Sequence, residues 1–203
     1  MKENYAKKLE ELISTLDYKP KLLLHSCCAP CSSYVISYLK SYFDITILYY
    51  NPNIYPFEEY LKRKEEQIRF IENFDNVKFM DCDYDNDRYN VLIKGLENEP
   101  ERGSRCTVCF DLRLRNTAIK GKENDFQYFG TTLTVSPYKN SYLINKIGLE
   151  LENEYGIKWL VSDFKKNDGY KKSILYSKEF NLYRQDYCGC IYSKIEREKK
   201  TRD

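Results

Sequence analysis

The stretch KLLLHS, residues 21–26, decides the fold, and it runs directly into the cysteine-rich segment CCAPC, residues 27–31. A short apolar run of this kind is typical of a strand buried on both faces of a parallel sheet. A helical pattern follows as far as Leu39, and the run ITILYY, residues 45–50, predicts a second buried strand. Strand, helix and strand over about thirty residues have the size of one βαβ unit, which requires parallel pairing.

The same alternation continues along the chain. A leading helix ends over residues 8–16, further helices are predicted at 57–74, 87–96, 109–120 and 141–155, and further strands at 77–80, 126–132 and 159–162. This pattern predicts an α/β fold with an open, mostly parallel sheet that carries helices on both faces. The arrangement is Rossmann-like and similar to the HUP/PP-loop class, and no linker divides residues 1–203, so we predict a single domain.

The carboxyl edge of the predicted sheet is where a site is expected, because ligands of such sheets bind outside the carboxyl ends of the strands. CCAPC follows the first predicted strand, Cys82 follows the third, and Ser136 lies just after the fourth. The predicted topology therefore brings these segments to one ligand-binding edge.

Composition and charge exclude several classes of protein. Charged residues make up 32% and hydrophobic residues 42% of the chain, which indicates a folded globular protein rather than a disordered one. The net charge of +2 indicates no strong field for nucleic acid, and the short basic C-terminal tail, residues 194–202, is expected to be a solvated helix end. The opening residues carry no secretory signal, and no run approaches the roughly 18 apolar residues of a membrane span.

These features predict a cytoplasmic protein with no membrane partner, and eight cysteines are unusual there because disulfides are rare in the cytosol. Metal binding and redox catalysis are the leading explanations. Cys27 and Cys28 lie at a strand-to-helix turn, and Cys106 and Cys109 form a CxxC pair at the head of another predicted helix. A helix N-terminus stabilises thiolates, the form of cysteine that binds metal. We therefore predict that these four cysteines gather into one metal site.

An iron–sulfur cluster of the [4Fe–4S] type is the interpretation we favour for that site, because thiolates from distant turns of a complete domain suit it. Zinc stays open as an alternative, since a CxxC pair also suits a structural zinc site. Cys31 could replace one of the four ligands, hold an additional iron ion or take no part.

The motif Cys188-Gly189-Cys190 is a different kind of feature, with a single residue between its two thiols. A disulfide across so short a loop would be strained, and strained disulfides are the labile or catalytic kind. Two additional metal ligands are an equally good interpretation of the pair. Cys82 stands between two aspartates that should raise its thiol pKa, so we interpret it as structural.

Nucleotide binding has no support from motifs in this sequence. Neither a G-x-x-x-x-G-K-[ST] loop nor a G-x-G-x-x-G fingerprint occurs. The first strand-to-helix turn, where an ATP-using α/β enzyme places a phosphate-binding loop, holds CCAPC instead. The single histidine, His25, is expected to be a satisfied core residue, with a hydrogen bond to a metal thiolate as the alternative.

Ordered blocks spread along the chain match a known family. They are Cys27–Pro30, Tyr50–Ile54 with Pro56, Glu59, Tyr60 and Arg63, Arg105–Cys109 with Arg113, Thr131–Leu133, Ser136–Asn140, Asp163–Lys166 with Gly169 and Tyr170, and Tyr183–Cys190. In these blocks the sequence resembles the QueH family of epoxyqueuosine reductases, and the resemblance extends over nearly the whole chain from Lys21 to Cys190.

The resemblance implies an oxidoreductase that removes the epoxide oxygen of epoxyqueuosine at the wobble position of tRNA, with iron–sulfur chemistry and without cobalamin. It implies that the [4Fe–4S] ligands are Cys27, Cys28, Cys106 and Cys109, and that Cys188 and Cys190 form a redox-active pair. The chemistry agrees, because the deoxygenation consumes two electrons and a dithiol can hold two. The electron donor stays unidentified.

The resemblance also places candidate residues for proton transfer and for tRNA recognition. Asp186 and Tyr187 are candidate proton donors, although Asp186 could instead pair with Arg184. Single-stranded anticodon bases are recognised by aromatic and basic side chains, for which the matching blocks offer Tyr138, Lys139 and Tyr170. Ordinary loop and surface roles for these three are equally consistent with the sequence.

Two further hypotheses stay open. A thiolating or ATP-dependent tRNA enzyme on a similar α/β fold would bind ATP tightly with magnesium, which the missing phosphate loop argues against. A non-enzymatic zinc protein that binds RNA would hold a redox-silent metal.

Overall fold

The computed structural model describes residues 3–200, so Arg202 of the basic tail lies outside the described residues. The strands are β1 (Lys21–His25), β2 (Asp44–Leu48), β3 (Val77–Met80), β4 (Tyr128–Thr131) and β5 (Lys158–Trp159). The helices are α1 (Tyr5–Ser14), α2 (Ala29–Leu39), α3 (Phe57–Ile71), α4 (Asn86–Leu92), α5 (Ser104–Glu123), α6 (Ser141–Tyr155), α7 (Gly169–Glu179) and α8 (Ile191–Lys200). Over residues 3–200, no helix combines the length and the apolar composition needed to span a bilayer.

The five strands form one sheet in the order β3-β2-β1-β4-β5, and every neighbouring pair is parallel. One apolar cluster lies between the sheet and α1, α2 and α3, and two others lie on the side of α5 and α6. The predicted α/β fold, with an open parallel sheet between two layers of helices, is therefore confirmed.

The central strand β1 is apolar throughout because both of its faces are covered. Leu22 and Leu24 belong to the cluster under α2 and α3, whereas Leu23 packs on the opposite side with Leu112 of α5. All three leucines of β1 are fully buried, and burial of each contributes about 1.5–3 kcal/mol. The run of consecutive leucines, in which apolar and polar residues do not alternate, is thus typical of a strand covered by helices on both faces.

The edge strand β5 is shorter than the predicted 159–162 because a side chain takes over its hydrogen bonding. The amide of Asn145 donates to the carbonyl of Ser162 at 2.8 Å and accepts from its backbone N–H at 3.0 Å. Asn145 also accepts from the indole N–H of Trp159 at 3.0 Å. These three bonds hold the chain to α6 rather than to a strand.

The helix α7 was not predicted because its buried face is not apolar. Its buried residues include Ser173 and Ser177, whose hydroxyls donate to backbone carbonyls one turn earlier. Small polar residues let α7 pack closely on α2.

The helix α8 contains most of the basic tail, of which Lys199 and Arg197 are exposed.

The segment 180–190, between α7 and α8, crosses α3 on its way back to the sheet edge. Arg69 of α3 donates to the carbonyls of Phe180 and Asn181 at 3.2 and 3.1 Å, and Glu66 accepts from the backbone N–H of Tyr183 at 2.5 Å. At its far end, the backbone N–H of Tyr55 donates to the carbonyl of Gly189 at 2.9 Å. The segment is therefore anchored at both ends.

Glu66→Gln should lower the free energy of unfolding by about 1 kcal/mol at neutral pH, because a charge-assisted hydrogen bond becomes a neutral one. The hydrogen bond from Arg69 holds the pKa of Glu66 below its ordinary value of 4.5. A lowered folded pKa gives stability that is present above the ordinary pKa and lost as the pH falls through the folded one.

The difference between Glu66→Gln and the parent chain should therefore shrink in acid. Denaturant titrations at neutral and acidic pH measure it, and Glu65→Gln, at an exposed neighbouring position, is the matched control. A difference of equal size at both pH values would contradict this electrostatic role.

Candidate metal centre

The site lies where the strand order reverses, between the carboxyl ends of β1 and β4, which is the usual ligand position in such sheets. His25 bridges the two strands there, with Nδ1 2.9 Å from the Thr131 hydroxyl and Nε2 3.2 Å from the Tyr50 carbonyl. Burial, with Arg113 adding to it, lowers the pKa of His25 to about 3. His25 is thus a neutral core histidine whose two nitrogens are both engaged, as its sequence position favoured.

The first group of thiols is Cys27, Cys28 and Cys31, at the start of α2. Their sulfur atoms all lie within 4.8 Å of one another, and those of Cys27 and Cys28 are 3.8 Å apart. Hydrogen bonds from Cys28 and Cys31 hold the pKa of the Cys27 thiol well below its ordinary value. These three side chains could hold a metal ion.

The second group contains Cys106, Cys109, Cys188 and Cys190, which together line one narrow crevice. Because α5 begins at Ser104 rather than at the predicted residue 109, its first two turns carry Cys106 and Cys109. Backbone N–H groups point at two of these sulfurs, from Arg102 to Cys106 at 3.2 Å and from Ser193 to Cys190 at 3.4 Å.

The four predicted ligands therefore meet at one sheet edge, but in two groups rather than one. Cys106 lies near both groups, because it packs against the apolar cluster of Cys27 and Cys28 and also lines the crevice with Cys109 and the CxC motif. Cys106 is thus the thiol at which the two groups meet.

Two buried arginines fit an anionic metal–thiolate centre. Arg113, which is 2% exposed, donates through Nε to the Cys109 carbonyl at 3.0 Å, and Arg63, also 2% exposed, donates through Nη1 to the Cys188 carbonyl at 3.1 Å. In each guanidinium, the Nη2 atom is buried and has no hydrogen-bond partner among the described residues. Burial opposes the charge of Arg113, yet the thiols of Cys109, Cys188 and Cys27 raise its pKa. A buried cation is costly unless an anion compensates it, so these arginines favour a negatively charged group at the thiols.

No role for these arginines is predicted from the sequence alone, although their spacing carries a signal. Arg113 lies four residues after Cys109 on the same helix, and residues at i and i+4 share a face. Arg63 has the same relation to Glu59, whose carboxylate accepts from Arg63 Nε at 2.6 Å.

A cavity of about 510 Å³ opens beside the thiols and is lined by the candidate substrate-binding residues Tyr138, Lys139 and Tyr170, together with Cys27, Cys31 and Cys188. The ring of Tyr138 is 60% exposed and lies 5.4 Å from the guanidinium of Arg102. Burial would lower the pKa of Lys139, but the thiols of Cys188, Cys27 and Cys31 raise it.

Asp186 is one of the two candidate proton donors and lines the same cavity as the other, Tyr187. Its side chain is 71% exposed and lies 3.8 Å from Arg197. The expected alternative partner, Arg184, donates instead to the Ser177 hydroxyl at 3.0 Å. Asp186 therefore sits at the mouth of the cavity.

The CxC motif joins the cavity to the crevice. Gly189 has a φ of 144°, a conformation that side chains other than glycine rarely adopt, and its N–H donates to the Ser193 hydroxyl at 3.3 Å. Cys188 lines both the cavity and the crevice, while Cys190 is buried. All eight cysteines are free thiols in this structure.

Cys82 lines neither the cavity nor the crevice. Burial raises the pKa of its thiol to about 11, with Asp81 and Asp83 adding to the effect and Lys120 opposing it. The direction agrees with the prediction, but burial contributes more than the acidic neighbours.

Comparisons with known proteins agree on one family. The family model "Epoxyqueuosine reductase QueH" matches residues 22–196. A protein named epoxyqueuosine reductase QueH from Acinetobacter baylyi is 48% identical over 87% of this chain and 82% of its own length. Proteins of the same name from Staphylococcus epidermidis and Thermotoga maritima are 44% and 35% identical, over 96% and 88% of this chain and 86% and 93% of their own lengths.

Serine substitutions should separate the metal ligands from the structural thiol. We expect Cys28→Ser and Cys109→Ser each to lower the metal bound per chain at least about tenfold under limiting metal, because a thiolate ligand is lost. Cys82→Ser is the matched control and should bind as much metal as the parent chain. Elemental analysis of anaerobically prepared protein measures the ratio, and equal metal in all four proteins would contradict the site.

Proposed function

The chain belongs to the QueH family of epoxyqueuosine reductases, and we propose that it removes the epoxide oxygen of epoxyqueuosine at the wobble position of tRNA, leaving queuosine. It is an epoxyqueuosine reductase, an oxidoreductase. The match of the family model over residues 22–196 carries this assignment, because it spans the sheet, both groups of thiols and the cavity.

For the cofactor we propose a [4Fe–4S] cluster held by Cys27, Cys28, Cys106 and Cys109, with no cobalamin. The N-termini of α2 and α5 face these thiols, and helix N-termini favour negative charge. The unpartnered guanidinium N–H groups of the buried arginines add to that preference. When bound, such a cluster supplies electrons to the reaction. Cys31, close to two of the ligands, is placed to replace one of them or to hold an additional iron ion.

Cys188 and Cys190 are proposed as the two-electron store. Deoxygenation of an epoxide to an alkene takes up two electrons and two protons and releases one water. Oxidation of one dithiol to a disulfide gives up two electrons and two protons, so the two half-reactions balance. Cys188 faces the cavity, which supports its role as the thiol nearer the substrate. A donor of electrons, unidentified as yet, restores the dithiol.

The cavity beside the thiols is proposed to receive the modified base. Its volume of about 510 Å³ suits a single nucleotide taken out of the anticodon stack. Tyr138 and Tyr170 would stack on bases, and Lys139 would contact the RNA backbone or the base. Asp186 would donate a proton to the departing oxygen. A tRNA substrate implies a cytoplasmic enzyme.

The reaction itself is tested with tRNA that carries epoxyqueuosine. The anaerobically prepared, reduced protein should contain iron and sulfide and should convert the modified nucleoside to one with one oxygen fewer, as read by mass analysis of digested tRNA. Zinc at full occupancy, with no iron, would contradict the cofactor. An intact cluster with no loss of oxygen would contradict the reaction.

Cys188→Ala should keep the iron and sulfide of the parent chain but lose at least about a hundredfold in turnover, because the two-electron store is broken. Cys82→Ala is the matched control and should retain full turnover. Iron content and nucleoside analysis on the same samples make the measurement. Turnover by Cys188→Ala at the parental rate would remove the proposed role of the pair.

A further inference from the structure

Gln185 contacts Cys28, which lies 157 positions earlier in the sequence. Its side-chain Nε2 is 2.9 Å from the sulfur of Cys28, which is itself 1% exposed. Among the hydrogen bonds of residues 3–200, this is the one N–H donated to that sulfur. A sulfur that ligates metal carries negative charge and accepts such a bond, whereas it has no proton to give.

The chain on either side of Gln185 is anchored by hydrogen bonds of its neighbours in the segment 180–190. The Tyr183 hydroxyl lies 3.2 Å from both carboxylate oxygens of Glu59, and the Tyr187 hydroxyl donates to the Tyr55 carbonyl at 2.7 Å. Gln185 lies between these two anchors. The anchored backbone therefore places the Gln185 side chain within reach of the Cys28 sulfur.

The contact with the Cys28 sulfur is the one hydrogen bond of the Gln185 amide among the described residues. Oε1 is buried and has no hydrogen-bond partner among the described residues. Beneath Cys28, the hydroxyls of Ser26 and Ser32 donate to Gln67 at 2.6 and 2.9 Å rather than to the cysteine sulfur. The Cys28 sulfur therefore receives its N–H from Gln185, while the nearby serine hydroxyls donate elsewhere.

From this geometry we propose that Gln185 is a positioning residue of the metal centre, whose N–H donates to the Cys28 sulfur and raises the reduction potential of the bound cluster. The inference rests on the proposed function, which supplies the cluster. Reduction adds negative charge to the cluster and its thiolates, and a hydrogen-bond donor stabilises the more negative state. Losing the donor should make the cluster harder to reduce.

The test compares midpoint potentials in anaerobic redox titrations of the full chain, followed by visible absorption. Gln185→Met, which keeps the length of the side chain but has no N–H, should give a more negative potential than the parent. Gln185→Glu, of the same shape but charged, should give a potential more negative still.

Gln127→Met is the matched control. Gln127 accepts from the backbone N–H of Lys21 at 2.6 Å, at the amino end of β1 and away from the thiols. Its replacement should leave the potential unchanged.

The outcomes separate this inference from the proposed function. A parent chain without iron and sulfide would overturn the proposed cofactor and the inference with it, before any variant is compared. A parent chain with a cluster, and a Gln185→Met variant with the same potential, would overturn the inference alone. If Gln185→Met fails to keep the cluster, Gln185→Glu decides, and loss of the cluster from both variants would show a purely structural role and overturn the inference.

Discussion

Parallel pairing of β1 with β2 on one side and β4 on the other is the constraint on which the rest of the structure depends. It forces each crossover helix to start at the carboxyl edge, so the N-termini of α2 and α5 meet there. Thiols carried on those first turns come together without being close in the sequence. The same reversal of strand order opens the cavity in which a substrate can lie.

The chemistry at this edge is organised by charge rather than by apolar packing. Arginines at positions 63 and 113 are almost completely buried and donate to the carbonyls of Cys188 and Cys109, and a buried cation is costly unless an anion compensates it. Glu59 compensates Arg63 in part, whereas among the described residues Arg113 donates to the Cys109 carbonyl and lies near thiols rather than a carboxylate. The proposed anionic metal–thiolate centre would supply the missing compensation and would tie the arginines and the cysteines into one functional unit.

The sequence predicted the elements that carry strong periodic signals. The bounds of β3 and α6 agree with the prediction residue by residue, and β1 differs by one residue at its end. The sequence could not predict where β5 stops, because the bonds of Asn145 to Ser162 that end it join parts of the chain that meet only after folding. It also missed α7, because a helix face built of serines resembles a loop in composition.

The candidate site divides in the same way. The sequence by itself placed Cys27 and Cys28 directly after β1, and Cys106 and Cys109 at the head of α5, because a strand's end and the turn that follows it are written in local apolar patterns and turn chemistry. Only the tertiary structure decided that these thiols form two groups, with Lys139 lining both the cavity and the crevice, and that Gln185 reaches the sulfur of Cys28. Such contacts depend on how the segment 180–190 crosses α3, and a distance between side chains 157 positions apart leaves no periodic trace in the sequence.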